Sequence, residues 1–311
     1  MFLQTNVITP RRKTMKIKNS LKNLDLGITV PVVLACTILF SILRSVQLAK
    51  FIDSETGFFV SGDAFNVIFY LLLAASCLFF VLVSFLSHQS SRVDLVAFKD
   101  KNAGAASVLF AVGLIYDFGD SAVESMRIFT ELPTYVTNRA ELFKMLMASG
   151  ALPYLLQCVF AFISAFYIII LAVSFYKGSS AAYRRKFLAI APIGWAGFKM
   201  ITRFVKQISY IRVSDLFLEL MMIACMLLFF VALSQVISGV YCDDSRWRIT
   251  AFGFSGGLIA LCLNVPRLIF TFVAKDFINV EYPFNLGDAF FGVFAIVVAL
   301  TAIKSTKKQS E

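Results

Sequence analysis

Eight long apolar blocks dominate the chain, at about 28–49, 64–86, 105–128, 148–174, 186–207, 215–237, 250–272 and 286–303. Each is near the roughly 20 residues with which an α-helix crosses a bilayer. A segment in hydrocarbon has no water to satisfy its backbone, so runs of this length become helices, with every N–H and C=O paired inside the segment. The expected fold is therefore an all-α polytopic membrane protein, an eight-helix bundle. The 59% share of hydrophobic residues exceeds the roughly 45–50% of a soluble domain because of these blocks. The fifth is the least regular: KFLAIAPIGWAGFKMITRFVKQ carries Pro192, two glycines, Lys199 and Arg203, so it is read as a crossing, either continuous or interrupted, with a re-entrant segment as the alternative.

Charge orients the spans. With residues 1–27 as a basic cytoplasmic arm, the same side receives Arg92, Lys99 and Lys101, then Lys177, Arg184, Arg185 and Lys186, then Arg246 and Arg248, and finally the 304–311 tail. These segments hold 18 of the 29 Lys and Arg residues but only six of the 19 acids. The positive-inside rule then places both termini in the cytoplasm and 28–303 as one transmembrane domain of the plasma membrane. The net charge of +10 is explained by orientation and by attraction to anionic lipid headgroups, so no nucleic-acid partner is expected. The first residues show no apolar core with a small-residue cleavage site, and no cleaved signal peptide is expected.

An internal likeness accompanies the hydropathy. FIDSETGFFVSGDAF at 51–65 and FINVEYPFNLGDAF at 277–290 share aromatics, an acid and a Gly-Asp-Ala-Phe end. Extended, the pattern gives four helical hairpins in series. In each, an arginine (Arg44, Arg127, Arg203, Arg267) ends the odd span and an acid (Asp63, Glu141, Asp215, Asp288) opens the next helix. Such acids satisfy orphan amides at the positive end of a helix dipole, so they are read as caps or first-turn residues.

Ionisable groups inside spans cost about 2.5–3.5 kcal/mol each on insertion scales, and their placement is informative. Asp117, Asp120 and Glu124 in IYDFGDSAVESMR recur at spacings of three and four, on one helical face. Lys199, Arg203 and Lys206 in WAGFKMITRFVKQ do the same, at similar depth, and are the expected partners of the acids. Glu219, Arg267 and Arg44 fall in the same outer half. Tyr116, Trp195, Asn264 and Gln235 are further contacts expected there. Asn264 precedes Pro266, which is expected to kink the seventh span, and Gly256 and Gly257 to admit a close neighbour. Arg44 and Arg127 also lie close enough to helix ends to snorkel to the interface.

Chemical motifs exclude much. There is no GxxxxGK phosphate loop, and one histidine, His88 in a polar loop, rules out HExxH. The six cysteines form no CxxC pair, so neither metal, disulfide framework nor cofactor is indicated. GFSGG at 253–257 is not GxSxG, and DFGD at 117–120 lies within a span without the other kinase signatures. Three functional classes stay open. The first is a transporter or substrate-binding membrane subunit, with Arg44, Lys199, Arg203 and Arg267 facing an anionic moiety and Asp117, Asp120, Glu124 or Glu219 holding a cation or proton. The second is a scaffold, sensor or partner subunit with a structural charge network. The third is an enzyme acting on a lipid or isoprenoid headgroup; no catalytic residue is singled out. Membrane lipids are the expected surroundings. A small charged solute or ion, a homodimer or a partner membrane subunit are the other partners considered.

Overall fold

The computed structural model describes residues 29–51, 64–86, 99–131, 139–179, 181–205, 213–239, 245–273 and 284–309. The elements are α1 (Thr29–Lys50), α2 (Ala64–Leu86), α3 (Lys101–Glu131), α4 (Arg139–Ala148), α5 (Ala151–Lys177), α6 (Ala181–Arg184), a 3₁₀ stretch (Lys186–Ile190), α7 (Ala191–Val205), α8 (Val213–Ser238), α9 (Ser245–Val273) and α10 (Leu286–Gln309). Eight helices among the described residues are long and apolar enough to cross a membrane, and they coincide with the eight apolar blocks. Residues 52–63 of the turn at 51–65, Asp63 among them, and 277–283 of its counterpart at 277–290 lie outside the described residues, and so does Lys206.

The fifth crossing is composite. Its α-helical part is 15 residues long, about 22 Å at 1.5 Å per residue, shorter than a hydrocarbon core of about 30 Å. The preceding 3₁₀ stretch of five residues adds about 10 Å. Pro192 sits in the first turn of α7, where a missing N–H costs nothing. Helix α9 continues through Pro266. Glu141 is a first-turn acid, but of the separate short helix α4 rather than of the fourth crossing itself. Gly178 stops α5 at φ 64°, its N–H donating to Ser174 O at 2.8 Å, the left-handed termination that glycine accepts without strain.

Six helices form a closed circuit in which α9 packs on α10, α10 on α3, α3 on α5, α5 on α7, α7 on α8, and α8 again on α9. Helices α1 and α2 lie outside it, each packed mainly on α9 and only sparsely on one another. Aromatic rings fill the middle. Phe110 of α3 meets Trp195 of α7, Phe230 of α8, and Phe291 and Phe294 of α10, with centroid separations of 5.8, 5.8, 6.0 and 5.0 Å. Offset and edge-on ring pairs of this kind add about 0.5–1.5 kcal/mol each beyond their burial.

Small residues bring the backbones together. A Cβ at Gly257 would lie 2.9 Å from Gly292 O, and one at Gly253 would lie 2.9 Å from Ala295 O, so α9 and α10 meet through a small-residue seam. At the α3–α10 crossing, a Cβ on Gly113 would stand 2.9 Å from Gly287 Cα, and one on Gly287 would stand 3.1 Å from Asp117 Oδ1. These two glycines seat the N-terminus of α10 directly against Asp117. Gly113→Ala is expected to push α10 away and to cost about 1–3 kcal/mol, as overpacking does. Thermal unfolding in detergent measures the loss, with Gly119→Ala, where an added Cβ meets nothing within 4 Å, as the control.

Candidate functional site

At one end of the bundle the C-terminal parts of α1, α3, α7 and α9 meet the first turns of α2, α8 and α10. Here, among the described residues, eight ionisable side chains, all buried except Arg203, gather from six helices: Arg44, Lys199, Arg203 and Arg267 against Asp117, Asp215, Glu219 and Asp288. Four cations thus meet four anions. Removing either member of such a pair leaves a charge in a medium that solvates it poorly, which is why a buried pair is strongly destabilised when broken from one side.

The cluster has two parts. In the lysine part, Lys199 Nζ donates to Asp117 Oδ2 at 3.1 Å and to Asp288 Oδ1 at 2.6 Å. Trp195, one turn before Lys199, donates its indole N–H to the same Asp117 oxygen at 3.1 Å, and Lys199 Nζ lies 5.1 Å from the Trp195 ring centroid. The aromatic centre and the charged centre are therefore joined through one indole. Asn285 Nδ2 donates to the other Asp117 oxygen at 2.8 Å, while Asn285 Oδ1 accepts the backbone N–H of Asp288 at 2.9 Å. Asn264 on α9 accepts the Asn285 N–H at 3.2 Å. The cap of α10 is thus Asn285, and Asp288 lies in the first turn, one of the two positions that the sequence pattern gave it. Asp288 keeps its carboxylate for Lys199, in a first turn whose dipole also favours negative charge.

In the arginine part, α8 supplies both acids, Asp215 and Glu219, one turn apart in its first turns. Arg44 Nη2 pairs with Asp215, and Arg44 Nη1 donates to Gln47 Oε1 at 2.5 Å. Gln47 donates onward to Asn66 Oδ1 of α2 at 2.7 Å. Arg267 donates through Nη1 to Glu219 Oε1 at 2.6 Å, and its Nη2 stands 3.6 Å from Asp215 Oδ1. Arg203 Nε lies 3.1 Å from Glu219 Oε2. Just behind, Thr202 donates to Gln157 Oε1 of α5 at 3.0 Å. Arginines from α1, α7 and α9 therefore hold the start of α8.

The expected stripes meet in part. Asp117 takes its place opposite Lys199, but Arg203 turns to Glu219. Asp120 is exposed and makes no hydrogen bond or ion pair among the described residues. Glu124 pairs with Arg127 on its own helix at 2.7 Å. Arg127, 59% exposed, behaves as an interfacial side chain, whereas Arg44, 1% exposed, does not snorkel at all. Tyr154 of α5 lies in electrostatic reach of Asp120, Glu124, Arg127 and Arg203, and marks a half-buried polar flank beside the cluster. Tyr116 is exposed. Gln235 is far from the cluster, near the opposite end of α8, where it accepts from Arg248 at 3.3 Å.

Asp215, Asp288, Asn285, Gln47 and Asn66 belong to the network although the sequence reading assigned them no binding role. Asp215 and Asp288 were visible as first-turn acids. The N-x-x-D spacing of Asn285 and Asp288 is a capping signal that identifies Asn285.

Compared with protein-family models, with curated proteins and with solved structures, the chain finds no match in any of the three. Fold and site define the class: a polytopic all-α membrane protein with, among the described residues, eight long apolar helices and a buried ion-pair network at one end.

Proposed function

We propose that the protein is a plasma-membrane transporter, or the solute-binding subunit of one, for a small charged solute or ion, with residues 28–303 as one transmembrane domain and both termini in the cytoplasm. The observation that carries this reading is the gradient of exposure among neighbouring charged groups, from buried ion pairs to the accessible Asp120 in electrostatic reach of Asp117, Lys199 and Arg203. The ion pairs of Lys199 and Arg267 are enclosed, Arg203 is 16% and Glu124 28% exposed at the side chain, and Asp120 is open. Ionisable residues inside spans mark solute and proton routes far more often than chance placement would. The basic groups at the other end, Arg246, Arg248 and Lys304, support a cytoplasmic assignment for that face. The hairpin repeat is part of the same proposal, since Arg44 and Arg267, its first and last arginines, converge on one helix.

Asp120 is the residue on which to test transport, because nothing among the described residues depends on it for pairing. Asp120→Asn is expected to fold and melt like the parent protein while losing most of the flux. The assay is proteoliposome uptake of a mixture of charged metabolites read by mass spectrometry, with internal pH followed by a trapped dye. Flux equal to the parent's would remove Asp120 from the pathway. The mutual pairing of these eight charges favours a second reading, a non-catalytic partner subunit whose network is structural. A stoichiometric partner co-purifying with the protein, together with no solute movement, would establish that reading instead.

A further inference from the structure

Between the third and fourth crossings stands a helix that crosses nothing. Helix α4 has 10 residues, about 15 Å at 1.5 Å per residue, half a hydrocarbon core of about 30 Å. It packs chiefly on α5.

Wound at 3.6 residues per turn, the side chains of α4 fall into three sectors roughly 120° apart. Glu141 and Lys144 form an exposed charged sector with the small Ala148 between them. Met145 and Leu146 are half-buried and mark the side turned to the bundle, with Leu142 one turn earlier on the same side. Phe143 and Met147 form the third sector, apolar and open at 58% and 37% exposure. Water on every free side would leave that apolar sector wet, and hydrocarbon on every free side would strand the two charges. Protein on one side, water on the second and lipid on the third satisfies all of them, as in helices that lie in a membrane interface.

The height of α4 agrees. Ser125 of α3 donates to Ala151 O at the start of α5, at 3.3 Å. Gly150, at φ 85°, stands between α4 and α5, and a left-handed residue ends a helix, so the two run on separate axes. A Cβ on Gly150 would lie 3.4 Å from Val205 Cγ1 of α7. The corner is therefore seated on α3 and α7, two helices that carry the ion network. At this level α3 presents lipid-type and headgroup-type side chains together: Val123 and Met126 are 69% and 71% exposed, while Arg127 pairs with Glu124 and Glu131 at the surface. The lipid-facing belt of the bundle thus reaches the height at which α4 begins its turn into α5.

We propose that α4 lies flat in the boundary between headgroups and acyl chains at the network end of the bundle, with Phe143 and Met147 among the upper acyl chains and Glu141 and Lys144 among the headgroups. Its partner is the lipid surface. The placement also sets the register of the network in the membrane, because Asp120 and Asp117 precede Ser125 on α3 by about 7 Å and about 12 Å. Asp120 then opens just beneath the headgroups, and the Asp117–Lys199–Asp288 centre lies at hydrocarbon depth. The placement holds whether or not the protein moves a solute.

The test uses the full chain in phosphatidylcholine liposomes, with a tryptophan added in either free sector, Phe143→Trp or Lys144→Trp. Both positions are exposed, so packing is kept. The signal of Trp195 and Trp247 is subtracted through the parent protein. The lipid carries bromine, a contact quencher, either on the upper part of its acyl chains or near their ends. Emission of Phe143→Trp is expected to lie to the blue of Lys144→Trp and to be quenched severalfold more by the upper bromine than by the chain-end bromine, while Lys144→Trp is quenched little by either. Met147→Trp is expected to follow Phe143→Trp. Adding Phe143→Glu to Met147→Trp should lift the helix into water and reduce that quenching severalfold, with melting in detergent unchanged. Equal quenching at 143 and 144 would place α4 outside the lipid, and stronger quenching of Phe143→Trp by the chain-end bromine would place it in the core; either overturns the proposal. Blue emission at 143 that neither lipid quenches, or a lower melting temperature of the Phe143→Glu variant in detergent, overturns it as well and assigns the face to protein.

Discussion

Lys199→Met is expected to destabilise the protein by about 3–5 kcal/mol, the usual result of removing one partner from a buried ion pair. Against a total stability of about 5–15 kcal/mol, that is enough to abolish a monodisperse gel-filtration peak under mild heating. Methionine fills nearly the same volume and keeps the helix propensity, so the loss reports charge rather than shape. Two carboxylates, Asp117 and Asp288, would face each other with their shared cation gone. Adding Asp288→Asn to Lys199→Met should recover part of the loss, because Asp117 keeps its hydrogen bonds from Trp195 and Asn285 and no second buried anion opposes it. Fluorescence-detected gel filtration after a temperature ramp compares the two variants. Equal melting of Lys199→Met and the parent would show that the two acids are not held as a buried pair around the lysine. Arg127→Gln belongs in the same series as a control: Arg127 is exposed and engages only acids of its own helix, so its melting is expected to match the parent.

How far the sequence led can be argued from these same residues. The crossings were legible because lipid imposes one rule on every apolar run, and the ends of α2 coincide with the sequence boundaries. That charges would collect in one half was legible from the depth of Asp117, Lys199, Arg267 and Glu219. Partner choice was not. On an isolated helix Asp117, Asp120 and Glu124 look alike, since each lies on the same face at a spacing of three or four. They differ through Gly113 and Gly287, which let the first turn of α10 press against Asp117 alone and enclose it. The four arginines that looked equivalent divide for a similar reason: α8 is within reach of Arg44, Arg203 and Arg267, whereas Arg127 sits at the end of α3 among its own acids. Local rules describe a helix end in isolation, so they place Asp215 and Asp288 at caps or in first turns and say nothing of partners from other helices. Once two helices place arginines beside such an end, Asp215 serves the dipole and the ion pair together. The composite fifth crossing was legible from Pro192 and the glycines, although its irregularity falls before the proline, in the 3₁₀ stretch.

Arg267→Gln is the second substitution expected to have a large effect, and a mutant cycle reveals its cause. Arg267 bridges the two acids of α8, Glu219 at 2.6 Å and Asp215 at 3.6 Å, so its loss strands Glu219 with Arg203 alone and Asp215 with Arg44 alone. The single variant should lose about 3–5 kcal/mol. Glu219→Gln alone also breaks a buried pair, but it leaves three arginines with one remaining α8 acid, and a similar loss is expected. If the two side chains act on one another, the double variant costs less than the sum by about 1–3 kcal/mol, the coupling range for residues in one network. Arg267→Lys separates charge from shape: an ammonium keeps the positive charge but offers no planar fork spanning two acids, so stability should fall between the parent and Arg267→Gln. Thermal melts of all four proteins at fixed detergent and salt supply the comparison. Additive losses would mean that Arg267 and Glu219 stabilise the bundle separately. The start of α8 would then be held chiefly by Arg44 through Asp215, and the arginine part would be two independent pairs rather than one charged unit.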